Sequence, residues 1–282
     1  NYIAKKAGLK GEFHHCYAAL LVEVDSAGDW FVRQLNADSE GTIYDLDVRA
    51  QGGRVTRGHA VEALTWGDIH AARLEPEHVK IAWGAGGILD SLRPRYQFLH
   101  DLVDFRARNH HERGNPHRAF ERHVEGTGDV REELQQAAEI LATARREWCQ
   151  TVVVDSNHDN ALERWLREAD YRHDPENALF FLEAQLEKYR ALDRRDPDFH
   201  RVEWSMRRFG AASERFLRED ESFVICPANG GGIEAGMHGH LGPNGSRGSA
   251  IAFARMGRKS NTGHTHTAGI VDGVYTAGIM SA

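Results

Sequence analysis

Residues 151–159 read Thr-Val-Val-Val-Asp-Ser-Asn-His-Asp. A short β-branched apolar run is closed abruptly by polar residues. That is the pattern of a strand buried on both faces that empties into a loop of oxygen and nitrogen donors. The surroundings alternate as a layered α/β chain would. Residues 129–150 carry apolar side chains at Val130, Leu134, Ala138, Leu141 and Trp148, with Asp129 placed as N-cap, and predict a helix. Residues 160–172 and 176–193 predict two more helices, broken at Asp174-Pro175, and the arginine-rich stretch 199–218 a fourth. Upstream, Arg95 to Leu99 predicts a strand that runs into His100-Asp101.

The first third reads as sheet. Tyr17 to Asp25 and Trp30 to Asn36 flank the turn residues Ser26-Ala27-Gly28-Asp29. Ile43 to Ala50 and Arg54 to Arg57 flank Gly52-Gly53, a hairpin signal. Val61 to Trp66 leads into Gly67-Asp68-Ile69-His70. The last quarter returns to strands at 222–226, 233–237 and 273–279, separated by glycine loops. The expected fold is a two-sheet β-sandwich flanked by helices, in the α/β class. It is read as one domain over 1–282, with a β-rich part at 1–60 and a helical cap insertion at 160–220.

Composition narrows the function. The chain has 282 residues, 41% of them hydrophobic and 27% charged, enough for a sizeable core. No apolar run approaches the ~18 residues of a membrane span, and no signal peptide is visible. A formal charge of −7 excludes a generically basic nucleic-acid coat. Three widely spaced cysteines (Cys16, Cys149, Cys226) argue against a disulfide framework and for a reducing compartment. The outlying number is 17 histidines, which cluster among Asp, Asn and Gly.

Five short motifs each end a predicted strand: Asp68-Ile69-His70, Asp101-Leu102-Val103-Asp104, Asn157-His158-Asp159, His238-Gly239 and Gly263-His264-Thr265-His266. Singly, most have ordinary readings. Asp101 could be an N-cap with Asp104 in the first turn, Asn-His-Asp a plain turn, and His238 and His240 solvated loop residues. Together they set carboxylate, imidazole and amide donors at strand ends, with no thiolate. That selects Mn, Fe, Zn or Mg over a structural zinc-thiolate site. The inventory suffices for two metals sharing a carboxylate, a clamp for in-line displacement at phosphorus. Donors at i and i+2 need turning loops to converge, and Gly67, Gly239 and Gly263 are expected to permit them.

The order of these motifs resembles the calcineurin-like metallophosphoesterase superfamily, over residues 67–266. Two positions depart from its pattern: His100 and Ser156 stand where that family has glycine. The resemblance implies Asp68, His70 and His266 on a first metal, Asp101 bridging, and Asn157, His238 and His264 on a second. Two Mn2+ ions are expected. A bridging hydroxide would attack phosphorus, with His158 at the leaving-group oxygen. Asp104 and Asp159 are candidates to orient ligand imidazoles. A closer resemblance is to the early DNA-degrading metallophosphoesterases of tailed phages. It rests on Lys10-Gly11-Glu12-Phe13-His14-His15, Val32 to Asp38, Thr65 to His70 and Gly273-Val274-Tyr275. It implies DNA as partner, the cytoplasm of an infected bacterium as location, no membrane, and a further region before Asn1. Homo-oligomerisation is left open.

Substrate contacts are expected from His15, His110, His111, Arg113 and Arg247. For the histidine pairs a sheet edge or a solvated loop is the alternative. Arg247, Arg255, Arg258 and Lys259 lie in a stretch without acidic residues from Gly242 through Val271, a local basic patch despite the net charge. Two rivals keep the chemistry open: a phosphatase or nucleotide phosphodiesterase with the same site, and a non-catalytic binding protein retaining a metal fold.

Overall fold

The structure is a computed structural model that describes residue 5 and residues 17–112, 115–227 and 231–281. The chain divides into two compact units, residues 1–61 and 62–282, where one domain was expected. The strands of the first unit hydrogen-bond in a sheet of their own.

That sheet is an antiparallel meander of β1 (Tyr17–Val24), β2 (Trp30–Ala37), β3 (Ile43–Asp45), β4 (Val48–Gln51) and β5 (Arg54–Thr56). Its first turn is closed by Asp25, whose Oδ1 accepts from the backbone N–H groups of Ala27 and Asp29 at 2.8 and 3.0 Å. The stretch 43–50, expected as one strand, folds back on itself because Leu46 adopts φ 54°, a left-handed turn conformation.

The second unit holds two sheets. One is wholly parallel, in the order β6 (Ala63–Asp68), β7 (Tyr96–His100), β8 (Gln150–Val153), β9 (Arg215–Phe216). The other runs β10 (Val224–Ile225), β11 (Ile233–Glu234), β12 (Lys259–Thr262), β14 (Val274–Thr276), β13 (Gly269–Val271). The helices are α1 (Pro76–Trp83), α2 (Ile88–Leu92), α3 (Pro116–Glu125), α4 (Val130–Ala144), α5 (Asp159–Glu168), α6 (Ala178–Asp193), α7 (Arg201–Arg208) and α8 (Ala250–Ala254).

The alternation of side chains along a strand splits the core into two layers. Phe98 and Val152 turn one way, into a cluster with Leu217, just past β9, and with Phe223, Ile225 and Ala235 from around the second sheet. Leu99 and Val153 turn the other way, onto Leu134, Leu141, Leu162, Trp165 and Met206 of the helices. The parallel sheet is thus covered on both faces, by a sheet and by helices. Gln97 points into the helical layer and is fully satisfied there. It accepts from Trp66 Nε1 and Trp83 Nε1 at 2.9 and 3.2 Å and donates to Ala144 O and Thr151 Oγ1.

Helix α4 forms where its apolar period places it, with Asp129 accepting from the N–H groups of Arg131 and Glu132. It stops at Ala144, six residues short of expectation, because the chain turns into β8 through an Arg146–Cys149 bridge. The arginine-rich stretch 199–218 is helical only over Arg201–Arg208; its end becomes β9. Residues 160–220 were expected as a cap. They instead supply the fourth parallel strand, and Leu162, Phe180 and Val202 sit in the core.

Candidate metal centre

The three parallel strands β6, β7 and β8 carry Asp68, His100-Asp101 and Asp155 to Asp159 to one edge, and β12 delivers residues 263–266 to the same place. The two sheets are pinned together there. Asp68 N–H donates to Gly278 O and Met280 N–H donates to Asp68 O, both at 2.9 Å. Gly67 is required by this approach: a Cβ on it would lie 2.8 Å from the Gly278 carbonyl carbon.

A first donor group comprises Asp68, His70, Asp101 and His266, one ligand atom from each lying within 4.8 Å of the others. His266 Nε2 is 3.3 Å from Asp68 Oδ2 and 3.4 Å from His70 Nε2. His70 Nε2 is 3.8 Å from Asp101 Oδ2. A second group meets at the same carboxylate oxygen of Asp101. His238 Nε2 lies 3.3 Å from Asp101 Oδ2 and 3.1 Å from Asn157 Oδ1, and the His264 ring stands 5.3 Å from the His238 ring. Asp101 therefore faces both groups. It is buried, and neither of its carboxylate oxygens accepts a hydrogen bond among the described residues. A buried carboxylate left without donors is costly unless a cation completes it. Imidazole nitrogens converging on it, with no proton able to satisfy every pair, are the second mark of a cation site. The residues present fit a divalent metal ion.

Electrostatics agrees with that geometry. Burial raises the Asp68 carboxyl, and the neighbouring charge of Asp101 raises it further. Burial opposes ionisation of Asp101 too, yet the His238 imidazole holds its carboxyl below the usual carboxylate range. Burial disfavours the charged form of His238, but Asp101 and Asp68 outweigh it and raise the imidazole.

A third cluster, His70, Asp104 and His158, adjoins the first. Asp104 Oδ1 lies 3.4 Å from His70 Nδ1 and 3.6 Å from His158 Nδ1. His158 Nδ1 is also 2.9 Å from the Asp104 backbone oxygen. The His158 side chain is about a third exposed. Asp159, expected to orient an imidazole, binds backbone and hydroxyl instead. It accepts from Val103 N–H at 3.1 Å and Ser156 Oγ at 2.9 Å, locking the 102–104 loop to the start of α5. Burial, reinforced by the charges of Asp101 and Asp155, pushes its carboxyl up to about 8.

The turns that converge these donors are made by the donor residues themselves. His70, Asp101, His264 and His266 all have left-handed backbone, with φ of 45°, 44°, 71° and 55°. Gly239 does turn with φ 105°, as expected, but Gly67 and Gly263 have no positive φ. Gly263 serves closeness instead: a Cβ there would lie 2.2 Å from Asp68 Oδ1. Its absence lets the His264 N–H donate to both Asp68 oxygens, at 3.1 and 2.9 Å.

Three contributors were not read as part of the site from the sequence: His100 figured there only as a departure from the family pattern, His240 only as a solvated loop residue, and Arg73 not at all. His100, in a glycine position of the resembling family, is fully buried with Nδ1 3.4 Å from His238 Nδ1. Burial and the His238 charge push it down to about 3, so it backs His238 as a neutral ring. The strand alternation Tyr96, Phe98, His100 was the available signal, since it aims all three the same way. Arg73 Nε sits 2.7 Å from Asp104 Oδ2. His240, beyond Gly239, lies 3.5 Å from Glu219 Oε1 with its ring 5.5 Å from His238.

The expected substrate contacts are less gathered. His110 and His111 stack with ring centroids 3.9 Å apart, and His158 is among the charges that act on His110. Arg247 is exposed, and its charge acts on His264. His15 and Arg113 lie outside the described residues, as does the Lys10–His15 motif.

The chain is 42% identical over 292 aligned residues to Protein A1 of Escherichia phage T5. The alignment takes in all of this chain but only 51% of that protein, so the chain spans about half the length of the curated relative it matches. No family model matches the chain. No solved structure matches it either. Among the described residues, no helix is long and apolar enough to cross a membrane.

Proposed function

We propose that the chain is a two-metal phosphodiesterase of the metallophosphoesterase type that cleaves DNA. The observation that carries this reading is Asp101: a buried carboxylate without a well-formed hydrogen bond, whose Oδ2 faces two groups of imidazole, amide and carboxylate donors. Asp68, His70 and His266 would hold one divalent ion, most naturally Mn2+. Asn157, His238 and His264 would hold the other, with Asp101 shared. Once bound, the ions would supply charge neutralisation at the phosphoryl oxygens and a nucleophile at neutral pH.

The protein's own groups do the rest. His158 stands beside the first ligand group, with Asp104 behind it, and would hand a proton to the departing sugar oxygen. Arg247, on the loop next to His238-Gly239, would hold a backbone phosphate. The likeness to a phage protein supports the resemblance to phage DNA-degrading enzymes, and with it action on DNA in the cytoplasm of an infected bacterium.

Supercoiled plasmid incubated with the protein in Mn2+ tests this directly, with EDTA and Asp101→Asn as controls. Smearing that both controls abolish supports a nuclease. Intact plasmid with turnover of small aryl phosphate esters moves the substrate to a phosphatase or nucleotide phosphodiesterase. No metal-dependent turnover of any phosphate ester would overturn the reading.

A further inference from the structure

One cavity opens beside Ala72 and Arg73, and another along the loop that follows His240. The larger, about 570 Å3, contains Arg106, Arg118 and Arg122, but each already faces a glutamate: Arg106 meets Glu125 at 3.5 Å, Arg118 meets Glu121 at 2.8 Å, and Arg122 pairs with Glu112. Its cations are spoken for. The second, about 420 Å3, is lined by Asn244, Arg247, Ser249, Ala252, Arg255 and Met256 among others. Among the described residues, no carboxylate lies within ion-pair distance of Arg247 or Arg255. Both guanidinium groups are exposed at its walls.

This second cavity is fixed to the ligand loop. Gly248 N–H donates to His240 O at 3.0 Å, and a Cβ on Gly248 would fall 2.0 Å from Gly239 O. Residues 241 and 247 form a β-bridge just before that contact. Arg247 is therefore one residue from backbone packed against the His238–His240 segment. The chemistry of the walls is divided. Two free guanidinium groups suit a phosphate, the Asn244 NH2 and Ser249 O–H remain as donors to a base edge although their oxygens already accept from Ser246 and from Ala252 N–H, and Ala252 with Met256 offers an apolar wall. The volume lies within the ~300–1,000 Å3 of small-ligand sites.

We infer that the cavity between residues 243 and 256 is a nucleotide subsite, which seats the nucleoside next to the cleaved linkage while Arg247 and Arg255 grip its phosphate. The inference rests on the phosphodiesterase reading for its place in a reaction. Its binding chemistry stands on the cavity alone.

The test is binding of deoxyadenosine monophosphate to the metal-stripped full chain, by calorimetry, with inorganic phosphate as reference. The nucleotide should bind at least about tenfold tighter than phosphate. Arg255→Ala should weaken it about tenfold, the loss of one charged contact. Ala252→Trp, which fills the cavity without altering charge, should weaken the nucleotide but not phosphate. Nucleotide binding no tighter than phosphate, or unchanged by both substitutions, overturns the inference. Failure of the phosphodiesterase reading shows separately, as wild-type protein that does not hydrolyse bis(4-nitrophenyl) phosphate with Mn2+.

Discussion

Asp104 Oδ1 lies 3.4 Å from His70 Nδ1, on the side of the ring opposite the one that meets Asp101 and His266. A carboxylate behind an imidazole fixes the tautomer and turns the far nitrogen into a donor toward a metal. Asp104→Asn should therefore lower Mn2+ affinity by about 10–100-fold while leaving the fold intact. Calorimetric titration of Mn2+ checks this; an unchanged first-site affinity would remove Asp104 from that role.

Asp101→Asn tests the shared carboxylate. The His238 imidazole favours its charged form, so losing the charge should cost some stability even without Mn2+. Bound Mn2+ should fall from two equivalents toward one or none. The rise in melting temperature that Mn2+ gives the wild type should shrink accordingly. An unaltered stoichiometry would sink the shared-ligand assignment.

His158 is not one of the proposed ligands but packs against one of them, its ring centroid 4.8 Å from that of His70, and shares Asp104 with it. His158→Ala should keep both metal equivalents. Turnover should drop by about 10²-fold or more on DNA, where the leaving sugar oxygen needs a proton. A 4-nitrophenyl leaving group, stable as an anion, should suffer far less. Equal losses on both substrates would argue against proton donation.

Gly263→Ala tests closeness rather than chemistry. The added Cβ would lie 2.2 Å from Asp68 Oδ1 and 3.1 Å from the His100 side chain. Relief requires backbone movement at the ligands, with a cost of about 1–3 kcal/mol. Thermal denaturation should show the loss, and Mn2+ titration should show weakened binding at the Asp68 side.

Cys149 supplies a pH test remote from the centre. Burial pushes its thiol up to about 11. The folded chain holds that proton more tightly than the unfolded chain, so the associated stability is full below the ordinary thiol range and is lost as pH rises toward about 11. Alkylation mapped by mass spectrometry should label exposed Cys226 first at pH 8 and leave Cys149 intact until pH approaches 11 or the protein unfolds. Rapid labelling of Cys149 at pH 8 in folded protein would contradict its burial.

The buried strand at 151–154 and the helix capped by Asp129 were legible because burial and period leave unambiguous marks. The meeting of Asp68, His70, Asp101, Asn157, His238, His264 and His266 was legible only as an ordered set of motifs. No spacing rule carries a contact across 196 residues, which is what separates Asp68 from His264. Helices α1 and α3 left weaker traces. In α3 no residue is fully buried, so its apolar period is faint, and its cap is Asn115 just before Pro116. The role of His100 was hidden for another reason. A histidine reads as polar, and its exclusion from water depends on the second sheet closing over the first.

Four proposed ligands, His70, Asp101, His264 and His266, occupy left-handed backbone. Outside glycine, the residues that tolerate this region best are Asn, Asp and His. Those three are also metal donors. Two independent filters therefore fall on the same short alphabet: the loop accepts few side chains for reasons of shape, and most of those it accepts can ligate. Random exchange at these positions would be screened for folding before coordination was ever tested. The survivors of the first screen would be enriched in residues able to pass the second, so the scaffold itself biases mutational drift toward changing the metal rather than losing it.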